Sequence, residues 1–332
     1  MIQPVLKQNW ERFSQPVEIT AYQAQELLEP WKSHPIQTLE LLSDGCANTN
    51  YKLTFKNDIA PLVLRLYTRE KSALARECGI HKLLKNKFPV PAFLYINNTY
   101  EFISHPYALI EWIDGVSMRN VILMGDEKAI SECSFSAGVH LNQLRQTKFP
   151  KGGFFQSDMS IRPFDKNEKY LDFCLEKLQD EKVRKCLTST TLNDLKAILT
   201  NHSHLLPDIN EANLTHADFD PANMLVRKIN NRFEVVAILD WEFSFAGSYL
   251  FDMGIMLRYA HKLPKTYEES FIQGLSSPLP STWRQSAKLT DLLCLLNLLY
   301  YNSYEERPLM NRDVVGLVEH TATLFRKIVS TI

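Results

Sequence analysis

Hydrophobic and polar positions divide the chain into two unlike stretches. Residues 20–31 begin with Thr20 in an N-cap position and hold helix-forming residues until Pro30 and Pro35 close the segment. The period then shortens. Residues 39–42, 51–55 and 62–67 read as strands, separated by the turn-forming Ser43-Asp44-Gly45 and Lys56-Asn57-Asp58. A helix over 69–84 follows, and Pro89-Val90-Pro91 returns the chain to extended structure at 93–96. Two further strands are predicted at 100–103, behind the Asn97-Asn98 turn, and at 107–113. From these extended segments we expect a five-stranded antiparallel sheet with one helix, preceded by the N-terminal helical segment.

Beyond Asp114-Gly115 the pattern is mainly helical, over 120–147, 170–185, 192–204, 251–261, 280–301 and 311–332. One strand pair interrupts it. The expectation is an α+β chain in two lobes, residues 1–113 and 114–332, with the boundary at the glycine.

Composition narrows the possibilities. With 332 residues, 45% of them hydrophobic, the chain can bury a large core and is near the length at which a single domain divides. Lysine plus arginine (37) nearly cancel aspartate plus glutamate (38), so no basic surplus exists to grip phosphate backbones, and nucleic acid is not an expected partner. The most apolar run, 289–301, is broken by Asp291 and Asn297 and falls short of the roughly 20 apolar residues that span hydrocarbon. No membrane association is expected. The N-terminus lacks the cationic start and apolar stretch of a secretory signal, which points to the cytoplasm. Cysteines at 46, 78, 133, 174, 186 and 294 form no metal-like spacing and read as reduced thiols.

The chemistry concentrates in His216-Ala217-Asp218-Phe219-Asp220-Pro221-Ala222-Asn223. Two apolar runs follow, on either side of Ile229-Asn230-Asn231-Arg232, and then Asp240-Trp241-Glu242. If that turn is a hairpin tip, Asn223 and Asp240 lie together at the open end, with Asp218 on the loop leading in. An amide oxygen and a carboxylate suit magnesium, a hard cation that leaves coordination positions for phosphate and water. A carboxylate at Asp218 could then accept the proton of an attacking hydroxyl and hold it in line with a γ-phosphate. His216 reads as a structural hydrogen-bonding residue.

The D-x-x-x-x-N spacing followed by a later aspartate is the kinase arrangement. Residues 216–223 resemble the H-G-D-x-x-x-x-N loop of the aminoglycoside phosphotransferase and choline kinase families. Asp240-Trp241-Glu242 resembles their I-D-W-E metal motif, and Ala246-Gly247-Ser248 through Asp252 their G-D-P-x-x-D continuation. The resemblance covers about residues 38–300 and implies a protein-kinase-like fold. It implies ATP or GTP as co-substrate, Mg²⁺ at Asn223 and Asp240, and Asp218 as the catalytic residue.

In the first lobe the resemblance implies four parts of a nucleotide site. The hairpin at 42–51, with Gly45 and Asn48, covers phosphates; Arg65 in Val63-Leu64-Arg65-Leu66 pairs them; Glu77 on the following helix pairs Arg65; and the main chain around Glu111 and Ile113 meets the base. The residues support one of these independently. Glu77 falls on a stripe with Ala73, Ile80 and Leu84, and a carboxylate on an inward stripe requires a cation.

Three positions depart from the family pattern. Ala217 replaces a glycine, acceptable if its φ is not positive; Arg145 stands where histidine is frequent, and Ser248 where aspartate is.

Because a helix resumes by Phe251, too little chain follows Asp240 for a peptide-docking activation segment. The acceptor is therefore expected to be a small molecule: an aminoglycoside, choline, homoserine, a sugar or another alcohol. The rival from another class is a catalytically silent nucleotide-binding module. Glu242, Glu268, Glu269, Asp291, Glu305 and Glu306 could form an acidic acceptor pocket, though each reads individually as a solvated surface residue. The oligomeric state is left open.

Overall fold

The computed structural model of the chain describes residues 6–7, 9–42, 47–56, 58–99, 101–165 and 169–329. Helix α1 (Ala21–Leu28) starts on a reciprocal cap, Thr20 accepting from the Gln23 N–H while the Gln23 side chain accepts from the Thr20 N–H. Strands β1 (Ile36–Leu42), β2 (Thr49–Phe55) and β3 (Leu62–Leu66) follow, then helix α2 (Ala73–Leu84), then β4 (Phe93–Asn97) and β5 (Tyr107–Glu111). The five strands form one antiparallel sheet in the order β1-β2-β3-β5-β4.

The alternation of β3 decides what this sheet can do. Leu62, Leu64 and Leu66 face α1 and join Leu27, Leu28, Tyr51 and Leu53 in one apolar cluster. Val63, Arg65 and, just beyond the strand, Tyr67 therefore fall on the opposite face, toward α2. No strand forms over 101–103. Asn97 pairs directly with Tyr107 across β4 and β5, so the intervening residues are the connection between them. The Asn97 side chain tightens its start by accepting from the Thr99 N–H.

The remainder comprises β6 (Val116–Ser117), α3 (Met118–Leu123), α4 (Glu127–Leu144), β7 (Gly153–Phe155), β8 (Ile161–Pro163), α5 (Tyr170–Gln179), α6 (Glu181–Cys186) and α7 (Ser189–Asn201). After these come β9 (Asn213–Thr215), β10 (Met224–Ile229), β11 (Arg232–Ile238), β12 (Phe245–Gly247), α8 (Leu250–Met256), α9 (Lys265–Leu275), α10 (Trp283–Tyr301) and α11 (Pro308–Val329). The helix expected over 120–147 is two. Gly125 at φ +77 ends α3, and Asp126 accepts from the Lys128 and Ala129 N–H groups to start α4. Asp180 likewise divides the segment expected over 170–185.

Helix α9 was not expected. Nor were β7, β8, β9 and β12, which make a four-stranded sheet in the order β8-β7-β12-β9. The predicted hairpin is β10 and β11, turned by Asn230 and Asn231 at φ 48 and 62, with β6 added to its edge.

Helices α4 and α9 cross through glycines. A Cβ on Gly138 would lie 2.1 Å from the Phe271 carbonyl oxygen, and one on Gly274 2.1 Å from that of Phe135. Gly138→Ala should therefore cost about 1–3 kcal/mol through overpacking. By contrast Gly316→Ala, on α11 with nothing within 4 Å of the added methyl, should gain up to about 1 kcal/mol. Denaturant unfolding of both variants checks the contrast, and a wild-type midpoint for Gly138→Ala would contradict the close crossing.

Candidate active site

The loop between β9 and β10 is held from beneath by α8. Asp252, fully buried, accepts from the backbone N–H groups of His216 and Ala217, each at 2.8 Å. His216 is buried against Trp241 and donates from Nε2 to the Leu239 carbonyl at 2.9 Å. This leaves Nδ1 to accept from the Asp218 N–H at 3.1 Å. Burial holds its pKa down against the pull of the nearby carboxylates, so the ring is neutral and fixes one tautomer.

Ala217 adopts φ 65. The condition set for tolerating alanine there is therefore not met, and the two bonds to Asp252 hold a left-handed residue that glycine would adopt without strain. Ser248, also buried, accepts weakly from the Leu250 N–H at the start of α8, and Arg145 lies over the Tyr249 ring.

Asp218 sits at the mouth of the loop. The Asn223 amide donates to both its carbonyl and its Oδ2, at 3.0 and 2.8 Å, while the Lys7 ammonium donates to Oδ1 at 2.6 Å. Burial pushes this carboxyl's pKa upward, but the Lys7 charge and bond, His216 and the Asn223 amide outweigh it and hold the pKa below the ordinary value. Asp220 caps the short turn before β10 by accepting from the Ala222 N–H, and its other oxygen lies 3.3 Å from Lys7 Nζ. Because the Asn223 nitrogen is engaged by Asp218, the amide oxygen is the atom of this side chain left for a cation. Main-chain bonding from Leu239 N–H to the Asn223 carbonyl, at 2.8 Å, draws Asp240 to the same end of the hairpin.

Asp240 stands at φ 65, and its Oδ1 accepts from Arg65 Nη2 at 2.5 Å. Arg65 Nε lies 3.4 Å from Glu77 Oε2. Glu77 is also bound by the Tyr67 hydroxyl at 2.5 Å and by the Trp241 N–H at 3.3 Å. Burial raises the Glu77 pKa and lowers that of Arg65, yet mutual attraction wins for both, and each is held in its charged form.

Asn48 is buried. Its amide donates to Glu242 at 2.9 Å, and its oxygen accepts from the Thr68 N–H. Gly45 lies outside the described residues. Glu111 is exposed at the end of β5 with its N–H already donated to Ala92, and Ile113 lies just beyond the strand.

Several acidic residues are not where they were expected. Glu242 is buried beside Asp240, and Asp291 is buried in a two-pronged bond with Arg258. Glu268 pairs with Arg284, and Glu269, Glu305 and Glu306 are exposed. Glu268 and Glu269 do line one pocket, but beside Lys265, Arg284 and Lys288, so its charge is mixed. Lys7 gave no sequence signal at all, being one cation in a polar leader. Glu242 gave a partial one, since it follows the candidate metal aspartate by two positions.

A small antiparallel sheet carrying one helix against its face, above a helical body that holds the loop and hairpin, is the two-lobed protein-kinase-like fold. Residues 38–289 match the model of the phosphotransferase enzyme family (APH), and the chain belongs to that family. The chain superposes with TM-score 0.69 on the GDP and kanamycin complex of APH(2")-IIIa, at 16% identity, covering 92% of this chain and 99% of that one. With the ADP and hygromycin B complex of a thermostable APH(4)-Ia mutant the TM-score is 0.62, at 16% identity, over 90% and 98% of the two chains. A curated relative, mouse acyl-CoA dehydrogenase family member 10, is 25% identical over 268 residues. The match covers 76% of this chain, which spans only 24% of that protein.

Glu242 supplies a pH test. Burial, then the Asp240 charge, raises its pKa from 4.5 to about 7. The native state then binds a proton that the unfolded chain has lost, so stability should fall as pH rises from about 4.5 to about 7, with the penalty complete above that range. Glu242→Gln should therefore be more stable than wild type at pH 8 and lose that advantage by pH 4. Thermal melts across this range check it, and a pH-independent difference would contradict the buried ionisation.

Proposed function

We propose that the chain transfers the γ-phosphate of ATP or GTP to a hydroxyl group of a small molecule, with magnesium held by Asn223 and Asp240. The observation that carries this reading is the convergence of three groups at the open end of the hairpin. These are the Asp218 carboxylate, the Asn223 side chain bound to it, and an Asp240 carboxylate tied to Arg65. Among the described residues no cluster of three or more His, Cys, Asp or Glu side chains could cage a metal. One carboxylate and one amide oxygen instead fit a hard cation that takes its remaining oxygens from phosphate and water. Magnesium bound there would neutralise charge on the phosphates.

The protein groups divide the remaining work. Arg65 presents its guanidinium where strand β3 faces α2, and Glu77 fixes its orientation, so the fork can meet phosphate oxygens. Asp218, kept ionised, is positioned to accept a hydroxyl proton and align its oxygen for in-line attack. The lobes divide at Asp114-Gly115, with the nucleotide between the 1–113 and 114–332 segments. The main chain at Glu111 and Ile113, together with Asn48, borders the nucleotide.

A small acceptor is supported by the chain after Asp240. It passes directly into β12, between β7 and β9, and then into α8, with no long segment left to dock a peptide. Among the described residues no helix is long and apolar enough to cross a membrane. Kanamycin and hygromycin B, bound by structural relatives, belong in an acceptor panel beside choline, homoserine and sugars. Retention of Asp218, Asn223 and Asp240 favours an enzyme over a silent nucleotide-binding module.

Asp218→Asn keeps shape while removing the proton acceptor. Turnover should fall about 10²- to 10⁴-fold, with nucleotide affinity changed less than about twofold. Steady-state kinetics and nucleotide titration of the purified variant check both. Undiminished kcat would make Asp218 a turn residue, and lost nucleotide binding would assign it to the fold or the metal.

A further inference from the structure

We propose that Lys7 is a positioning residue for the Asp218 carboxylate, an ammonium delivered to the catalytic loop by the far N-terminus; this inference rests on the kinase reading above. Lys7 stands 211 positions from Asp218 in sequence, and its Nζ donates to Asp218 Oδ1 at 2.6 Å. Its side chain is only 11% exposed, and Asp220 Oδ2 lies 3.3 Å from the same nitrogen. The ammonium therefore bridges two carboxylates of one loop. Asp218 is pinned on both oxygens, Oδ1 by Lys7 and Oδ2 by the Asn223 amide. The plane of the carboxylate is thereby fixed, and each oxygen keeps a second lone pair for a hydroxyl.

The flanking chain shows that this is a built contact and not a side chain resting in a cleft. Leu6 is 1% exposed and belongs to the main apolar core. Trp10 donates to Asp313, which also accepts from the Tyr259 hydroxyl. The Glu11 carboxylate accepts from the Leu309 and Met310 N–H groups in the first turn of α11, at 2.8 and 3.1 Å, and its carbonyl accepts from Arg307. Lys7 itself turns through φ 57 between these anchors. A plug that leaves to admit an acceptor would need loose flanks, and these are fastened on both sides.

The charged surroundings define what Lys7 contributes. Asp218 and Asp220 face it from the loop, and the Arg258 guanidinium opposes it from beyond α8. Asp218 feels Lys7 and His216, and its charge in turn reaches Asp252 on α8 and Cys294 on α10. Of the groups that hold Asp218 ionised against burial, Lys7 is the largest. Removing the ammonium should free the carboxylate to rotate, because one of its two oxygens would then lose its anchor.

The test uses the full chain with Lys7→Met, which keeps the apolar stem, and Lys7→Arg, which keeps the charge. The kcat and KM for ATP are measured for MgATP hydrolysis, with water in the acceptor's place. In Lys7→Met kcat should fall about tenfold or more, as expected when a group that aligns the attacking oxygen is loosened, with a KM for ATP within about twofold of wild type. Lys7→Arg should recover most of the rate. A wild-type kcat in Lys7→Met would overturn the proposal, and so would a higher kcat, which would make Lys7 an inhibitory plug. Hydrolysis that proceeds equally in wild type and Asp218→Asn would reject the kinase reading itself. Turnover that needs Asp218 but not Lys7 would reject only the role of Lys7.

Discussion

Arg65 is the buried cation on which the two lobes agree. It stands on β3 and lies between Glu77 of α2 and Asp240 at the end of β11, so sheet, helix and hairpin meet at one guanidinium. Such an arrangement is weak evidence for stability, since desolvating three charges costs about as much as their attraction returns. Its strength is as a constraint. Removing one member strands the others, at a cost of about 3–5 kcal/mol, so the lobes are held in the one relation in which a strand residue and a hairpin residue share a site. Tyr67 and the Trp241 N–H complete the hydrogen bonding of Glu77, so its carboxylate has little freedom to serve anything else.

The loop that carries Asp218 is held in a different way, by backbone strain balanced against buried hydrogen bonds. Ala217 and Asp240 both adopt left-handed φ, a conformation that costs non-glycine residues about 1 kcal/mol or more. Two N–H bonds to Asp252 compensate at Ala217, and the bond to Arg65 does so at Asp240. Strained residues thus flank the opening of the hairpin, one beside Asp218 and the other Asp240 itself. In the proposed mechanism that opening receives the γ-phosphate, so strain and function coincide in position.

Some of this was legible in the sequence and some could not be. The paired asparagines at 230 and 231 announced the hairpin, and with it the proximity of Asn223 and Asp240, because turn chemistry is local. The inward stripe of α2 pointed Glu77 at a cation for the same reason. Strands of three residues, such as β7 and β12, are too short for alternation to register. Helix α9 did carry a signal, with Tyr267, Phe271 and Leu275 at spacings of four on its buried face. Lys7 and the burial of Glu242 depend on contacts between distant parts of the chain, which no local pattern encodes. The tolerance granted to Ala217 failed because its φ is set by Asp252, 35 residues away.

The central claim is that Asn223 and Asp240 hold a metal that bridges to the nucleotide, and calorimetric titration of ATP with magnesium or with a chelator tests it most directly. In wild type, magnesium should strengthen ATP binding by about tenfold or more, a coupling of ordinary size between two ligands of one site. In Asp240→Asn, which keeps the side-chain shape, that strengthening should disappear. Equal strengthening by magnesium in both proteins would place the metal elsewhere and contradict the site.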